Sequence, residues 1–466
     1  MTDYSYVEKS PDKAYITNNV LLPKRYINVP VIKAALTFNL NDEEPILDET
    51  GQEIGVKPKT LPLWNETDTH LVVPREFLPQ KQYQEFRCEF EEIPPPKFES
   101  VRIDDHIELR DAEQQAAFDS LINNYSGTLN LSCGKGKTVI ALKAAATLKV
   151  PTLVVVNTTA LLEQWKEEIA RHLGVSGVGT IQGQIHDWEQ HPIVLAMVHT
   201  LSGRRWPMAF RRRFGLVLYD EGHHMSAPVF VISADLFYGR RFSLTATASR
   251  TDGLESIYQY HLGRVIHSNL TQELIPHTMF HILHWDMPVE HKRLVEDRNG
   301  DISIPRVRTY LGKLEWRNDI VYEYMLRDLQ EGRQLLVLSH SVDHIERLFG
   351  YLSSIGAGMI TGDTPQDSRM SILRNGNPVF GTFQLAREGL NKPSLDTLYI
   401  VTPFSNSNDL QQAWGRIQRR FSGKKEPLVR VFEDTAFSCC LKSCNSLRGI
   451  LRRFNYPYDK EAREVV

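Results

Sequence analysis

Residues 132–138 read SCGKGKT and follow the run GTLNL. Gly134 and Gly136 can take positive φ, which residues with a side chain resist. A glycine-rich turn between a strand and a helix points several backbone N–H groups at one anion, and the start of the helix adds positive charge. Lys137 can reach the β- and γ-phosphates of a nucleotide, and the Thr138 hydroxyl can hold Mg²⁺. TLNL reads as a short buried strand, and TVIALKAAATL has helical spacing. Leu131 stands where the strict G-x-x-x-x-G-K-T pattern has its first glycine. The competing reading is a turn that carries a lysine by chance, so the rest of the chain must decide.

The chain has 466 residues, too many for one ordinary core. A hydrophobic content of 41% and a charged content of 24% are those of a globular protein. No apolar run is long enough to span a membrane, and the polar start, MTDYSYVEKSPDK, is not a secretory signal. Five cysteines make an odd, sparse set that suits a reducing compartment, which implies the cytoplasm. The C-C-x3-C cluster at Cys439, Cys440 and Cys444 could be half a zinc site, but no second Cys or His pair lies nearby in the sequence to complete it.

The net charge is −3, but it is unevenly spread. Residues 1–100 hold 11 Lys and Arg against 17 Asp and Glu, whereas residues 410–466 hold 12 against 6. GRRWPMAFRRRFG places five arginines between Arg204 and Arg213. Local basic surfaces on a near-neutral chain suit releasable contact with a nucleic-acid backbone. Arginine stems packed over apolar neighbours are the plainer alternative.

The first hundred residues are β-rich in pattern and end in EEIPPPKFES, whose three prolines mark a boundary. From about 105, strand-like and helix-like runs alternate: TLNL, TLVVVN, IVLAMV, GLVLYDE and RFSLTAT, with helical segments between. The runs are continuously apolar, as buried parallel strands are. A second alternating series starts near 316, with QLLVLSHS, GMITGD, PVFGTF, TLYIVT and LVRVFE as strands. The expected division is a β-rich domain over 1–100, one α/β lobe over 101–270 and a second over 271–466. Asn299-Gly300 signals a hairpin near 290–310.

Further features follow in an order that one mechanism would need. In LYDEGHH, Asp220 and Glu221 end an apolar strand, 83 positions after Lys137. Asp220 there can hold Mg²⁺ through water, and Glu221 can polarise an attacking water. In LTATASR, Thr245 and Thr247 offer short hydroxyls that could relay the state of those carboxylates. In QQAWGRIQRR, Arg416 and Arg419 are three apart, so a helix would place them on one face. Arginines from a second lobe can act as fingers on the γ-phosphate. In ELRDAEQQAAFDSL, Gln114 is placed to read an adenine edge with both its donor and its acceptor.

The ordered set LSCGKGKT, LVVVNTTALLEQW, DEGHH, LTAT, GTFQLAREGLN and QQAWGRIQRR resembles that of superfamily 2 helicases, over roughly residues 105–435. The look is nearest to the XPB-like group, which includes the phage UvsW-like branch-migration helicases. The resemblance implies two tandem RecA-like P-loop lobes, an α/β fold, which follow the small β-rich N-terminal domain read from the first hundred residues. It implies an ATP- and Mg²⁺-dependent DNA helicase or translocase that remodels single-stranded or branched DNA in phage recombination, repair or replication. It names no protein partner and no membrane.

Residue by residue, Arg110, Cys133, Gly134, Lys135, Gly136, Lys137, Thr138 and Gln114 would hold the nucleotide, joined from the second lobe by Gly389 and Gln412. Asp220 and Glu221 match the Mg²⁺ and water residues, and His223 the coupling histidine. Thr158, Thr200 and Thr382 match positions that touch the nucleic-acid backbone, with Arg204 beside them. Glu113 stands where the family has an aromatic, and Asn157 where it has proline. An RNA helicase, the motor of a restriction-type complex and a catalytically dead binding scaffold are the alternatives.

Overall fold

A computed structural model describes residues 10–465 except 48–52, 79–87, 133, 176, 223–226, 247–253, 271–273, 384, 386–389, 391, 405–406 and 420. The chain forms two compact units, Met1–Leu270 and Thr271–Val466. Among the described residues, no helix is long and apolar enough to cross a membrane.

The first unit is built on an eight-stranded sheet. Its order is Ile185–Asp187, Val178–Gln182, Ile193–Met197, Thr152–Val156, Leu216–Asp220, Arg240–Thr245, Ser126–Leu131 and Val265–Asn269. All pairings are parallel except the antiparallel edge pair of Val178–Gln182 with Ile185–Asp187. TLVVV at 152–156 and LVLYD at 216–220 are buried at every position. Two covered faces leave no reason for polar alternation, which is why these strands read as continuous apolar runs. Helix Lys137–Leu148 buries Ala141, Ala144, Ala145 and Ala146, so small side chains bring it close to the sheet.

Asn65–Glu66, His70–Pro74, Asn19–Pro23, Ala14–Ile16 and Phe90–Glu92 form a separate five-stranded sheet. Thr37–Leu47 and Glu53–Pro62 pair as a two-stranded ribbon. The β-rich start is not a detached domain. Leu22, Val73 and Phe77 share one apolar cluster with Phe210, Phe230 and Ile257 of the α/β layer. Phe77 meets Tyr260 edge-on at 5.2 Å between ring centres. Arg241, 1% exposed, donates to Ala234 O and to Asn18 O, both at 3.0 Å. Asn18 Nδ2 donates in return to Asp235 O at 2.7 Å. The triple proline at 94–96 therefore marks a change of architecture within one packing unit.

The second unit holds a seven-stranded sheet in the order Gly358–Ile360, Val379–Thr382, Leu335–Ser339, Thr397–Ile400, Leu428–Asp434, His277–His284 and Tyr458–Glu464. All of its pairings are parallel. Apolar clusters around Leu336, Leu338 and Trp414 and around Val337, Tyr399 and Phe380 make up its core. Asn299-Gly300 does turn the chain, with Gly300 at φ +85°. The expected hairpin reduces to one bridge, Glu296 to Ile302. Helix Ile304–Lys313, with Pro305 in its first turn, starts directly afterwards and leaves no room for a strand. Cys440 and Cys444 of helix Ser438–Arg453 are buried among apolar side chains.

Phe77→Ala should loosen the β-rich layer from the α/β layer at a cost of about 3–5 kcal/mol, the usual range for a buried aromatic. Chemical denaturation of the full chain measures it. A loss under about 1 kcal/mol, the level of an unremarkable substitution, would mean that the two layers do not stabilise each other there.

Candidate active site

Three strand ends build the site. Ser126–Leu131 leads into the glycine loop, Leu216–Asp220 ends in the two carboxylates, and Arg240–Thr245 runs between them. The register pairs Asp220 with Leu244 and Thr245 with Asn130, so Thr245, 2% exposed, lies between the loop strand and the carboxylate strand.

Gly134 and Gly136 both take φ +83°. Gly136 caps helix Lys137–Leu148. A Cβ at Gly136 would come within 2.4 Å of Gln114 Nε2, so only glycine fits. Lys137 Nζ donates to Leu131 O at 3.0 Å and lies 3.6 Å from Glu221 Oε1. The loop folds over its own lysine and aims it at the carboxylates. Thr138 occupies the first turn of the helix and is half-buried.

Asp220 is buried, and its Oδ2 accepts from Trp165 Nε1 at 2.8 Å. Burial, with the charge of adjacent Glu221 second, raises its carboxyl to about 6, against the pull of Trp165 and Lys137. Glu221 has φ +48°, a left-handed conformation that costs a non-glycine residue about 1–3 kcal/mol. Its backbone is held there by Glu221 N donating to Leu244 O at 2.9 Å. Strain of this kind persists only where surrounding bonds fix it, and here it turns the second carboxylate toward Lys137.

Gln114 is where expectation and structure part. Its Oε1 accepts from Arg110 N at 2.8 Å and its Nε2 donates to Lys135 O at 3.0 Å. Each amide group thus holds the chain's own backbone and ties helix Ala112–Asn123 to the glycine loop, which takes up one N–H and one lone pair of the two that each group carries. Arg110 Nε turns to Asp111 at 2.9 Å. Glu113 pairs with His267 at 2.8 Å, a contact across to strand Val265–Asn269.

The expected nucleic-acid residues of the first lobe gather on one feature. Thr158 caps helix Thr159–His172, accepting from Leu161 N at 3.3 Å. Thr200 Oγ1 accepts from Gly183 N at 3.0 Å. Arg204 donates to Gly183 O at 3.0 Å and to the ring of His186. Thr200 and Arg204 therefore hold the turn that joins strands Val178–Gln182 and Ile185–Asp187, and Thr158 precedes Thr159, whose Oγ1 accepts from Gln182 Nε2 at 3.1 Å. Of the other arginines in that cluster, Arg211 is buried against Leu236 O and Arg213 bonds His191 O, so both serve packing.

In the second lobe, helix Ser407–Ile417 ends before Arg419. Arg416 and Arg419 consequently do not share one helical face: the first is in the last turn and the second lies beyond it. Arg416 is buried and donates to Leu390 O at 3.3 Å. Thr382 ends its strand opposite Ser339. Cys133, His223, Thr247, Gly389 and the side chain of Gln412 lie outside the described residues.

Trp165 is the functional residue that sequence reading missed. It is one apolar position on an amphipathic helix, and nothing in its spacing signals a bond to Asp220. A carboxyl raised by burial lowers stability where it ionises. Between the ordinary Asp range and about 6 the native state keeps a proton that the unfolded chain has released, so stability falls as pH rises through that window. A catalytic role for Asp220 as a cation ligand would follow the opposite sign, because only an ionised carboxylate holds a cation. ATP turnover should fall as pH drops through about 6. Trp165→Phe removes a bond that favours the ionised form, so it should move that acid limb to higher pH. A limb that stays in place would mean that another group sets it.

The comparisons with known proteins agree with this geometry. Residues 106–250 match the family described as "Type III restriction enzyme, res subunit", and residues 316–420 match "Helicase conserved C-terminal domain". The putative ATP-dependent RNA helicase L396 of Acanthamoeba polyphaga mimivirus is 26% identical over 364 residues, 74% of this chain and 68% of that protein. The DNA 3'-5' helicase XPB of Kineococcus radiotolerans is 35% identical over 150 residues, 30% of this chain and 27% of that protein. The solved ATP-dependent Type ISP restriction-modification enzyme LlaBIII bound to DNA shares the fold, with a TM-score of 0.53 at 14% identity over 77% of this chain and 31% of that one. With the restriction-subunit family matched on the first lobe, the helicase C-terminal domain matched on the second, and the glycine loop and carboxylate pair facing each other in the first, the chain has the domain pair of a superfamily 2 helicase and is similar to the XPB group.

Proposed function

We propose that this helicase is an ATP-driven motor on DNA that remodels single-stranded or branched substrates, such as forks and four-way junctions, in phage recombination, repair or replication. The observation that carries the motor is Lys137 Nζ, held 3.6 Å from Glu221 beside a buried Asp220. Lysine, carboxylates and an open glycine loop on one sheet edge are what phosphoryl transfer to water needs. The preference for branches rests on the sequence resemblance.

Lys137 would hold the β- and γ-phosphates while the backbone of residues 134–136 cradles them. The oxygen donors of Thr138 and Asp220 fit Mg²⁺, a hard cation that would neutralise phosphate charge. Glu221, turned by its own backbone strain, would orient the attacking water and accept its proton. Arg416 and Arg419 would stabilise charge on the γ-phosphate in the working state. Thr158, Thr200 and Thr382 would grip the strand through its phosphates without reading sequence.

A second reading, an RNA helicase, is favoured by the mimiviral relative, which is described as one. Discrimination depends on contacts to the 2′-OH. ATPase rates with no nucleic acid, single-stranded DNA, duplex, four-way junction and matched RNA separate the two. Stimulation by single-stranded or branched DNA supports the proposal, and stimulation mainly by RNA replaces it. Lys137→Ala and Glu221→Gln should both abolish hydrolysis, with Glu221→Gln still binding ATP. Arg419→Ala should lose turnover with little loss of ATP affinity. A large affinity loss at normal turnover would take the finger role away.

A further inference from the structure

The edge hairpin of the first lobe has more bonds than an edge needs. Strands Val178–Gln182 and Ile185–Asp187 are joined by a tight turn at Gly183, φ +58°. Gln182 Nε2 donates to Thr159 Oγ1 at 3.1 Å, next to Thr158. On the other side Gly183 N donates to Thr200 Oγ1 at 3.0 Å. Arg204 closes the ring from below: one terminal nitrogen bonds Gly183 O at 3.0 Å and the other faces the His186 ring. His186 rests edge-on against Trp206 at 5.7 Å, and Trp206 stacks on buried Phe210 at 4.1 Å. An exposed turn is thus fixed through side chains to the first-lobe core.

What the turn presents is Gln184 and Ile185, both exposed, Ile185 by 55%. The edge strand itself is three residues long and ends in Asp187, so it is already blunted by length and charge, and Ile185 at its head is left free for another contact. A rigid apolar tip beside phosphate-directed hydroxyls matches the side of a strand where sugar and base lie next to the phosphates.

We infer that the turn at residues 182–186 is a nucleic-acid contact in its own right. Ile185 presses on the sugar–base side of the strand whose phosphates Thr158 and Thr200 face, Gln184 lies along it, and Arg204 is a positioning residue that holds the turn. This rests on the motor reading above. It adds an apolar contact, insensitive to salt, to a grip that is otherwise electrostatic.

The test is ATPase stimulation by a single-stranded oligodeoxynucleotide, titrated to saturation with the full chain. Ile185→Asp and Gln184→Glu each put a negative charge on the exposed tip without touching the core. Each should raise the half-saturating strand concentration about tenfold, the scale of losing one base-level contact. The control, Val31→Asp, lies on an exposed position of the β-rich layer and should leave it unchanged. Arg204→Ala should raise half-saturation while the maximal rate stays, and Arg204→Lys, with one nitrogen where the fork has two, should restore only part. Wild-type half-saturation in both tip variants, with the wild type itself stimulated, would overturn this inference and leave the motor standing. A wild type that no nucleic acid stimulates would remove the motor reading and this inference with it.

Discussion

Two carboxylates end a strand that is buried along its whole length, and one lysine faces them. That arrangement is costly by itself. Burial and the neighbouring charge of Glu221 push Asp220 up to about 6, and Glu221 sits in a strained left-handed conformation. Trp165, Lys137 and the bond from Glu221 N to Leu244 O offset those terms. Each comes from a different element, so the site exists only when the strand ends stand side by side. Parallel strands guarantee that, because they bring all their C-terminal ends to one edge.

The same logic explains the β-rich layer. Its triple-proline end marked it as a separate domain, yet its apolar face completes the core against which strand 216–220 packs Val217 and Tyr219. Arg241 is the bolt: its guanidinium bonds Ala234 O in the α/β layer and Asn18 O in the other. Burial lowers the charged form of Arg241, so those carbonyls must stay in place to compensate. The site strands are therefore held from behind as well as along their edges.

Arginine-rich stretches show how little charge alone decides. Residues 204–213 read as one basic patch, but Arg211 and Arg213 are spent on backbone carbonyls and Arg204 on a turn. Arg204 is held to the turn at Gly183 and not splayed into a common basic surface. Gln114 makes the same point: an amide fit to read a base staples the glycine loop to the preceding helix.

The sequence by itself determined what is local and chemically obligatory. Continuous apolar runs dictated parallel, doubly covered strands, the Gly134/Gly136 spacing dictated a left-handed turn into a helix, and Asp220-Glu221 after an apolar run dictated a carboxylate pair at a strand end. These patterns are legible because backbone geometry and charge leave few alternatives at those positions. Tertiary structure alone decided the rest. Trp165 reaches Asp220 from 55 positions away, Arg241 meets Asn18 across 223, and helix Ser407–Ile417 stops short of Arg419. Such partners are set by packing between distant segments, and an isolated tryptophan, arginine or glutamine carries no spacing that announces which neighbour it will find.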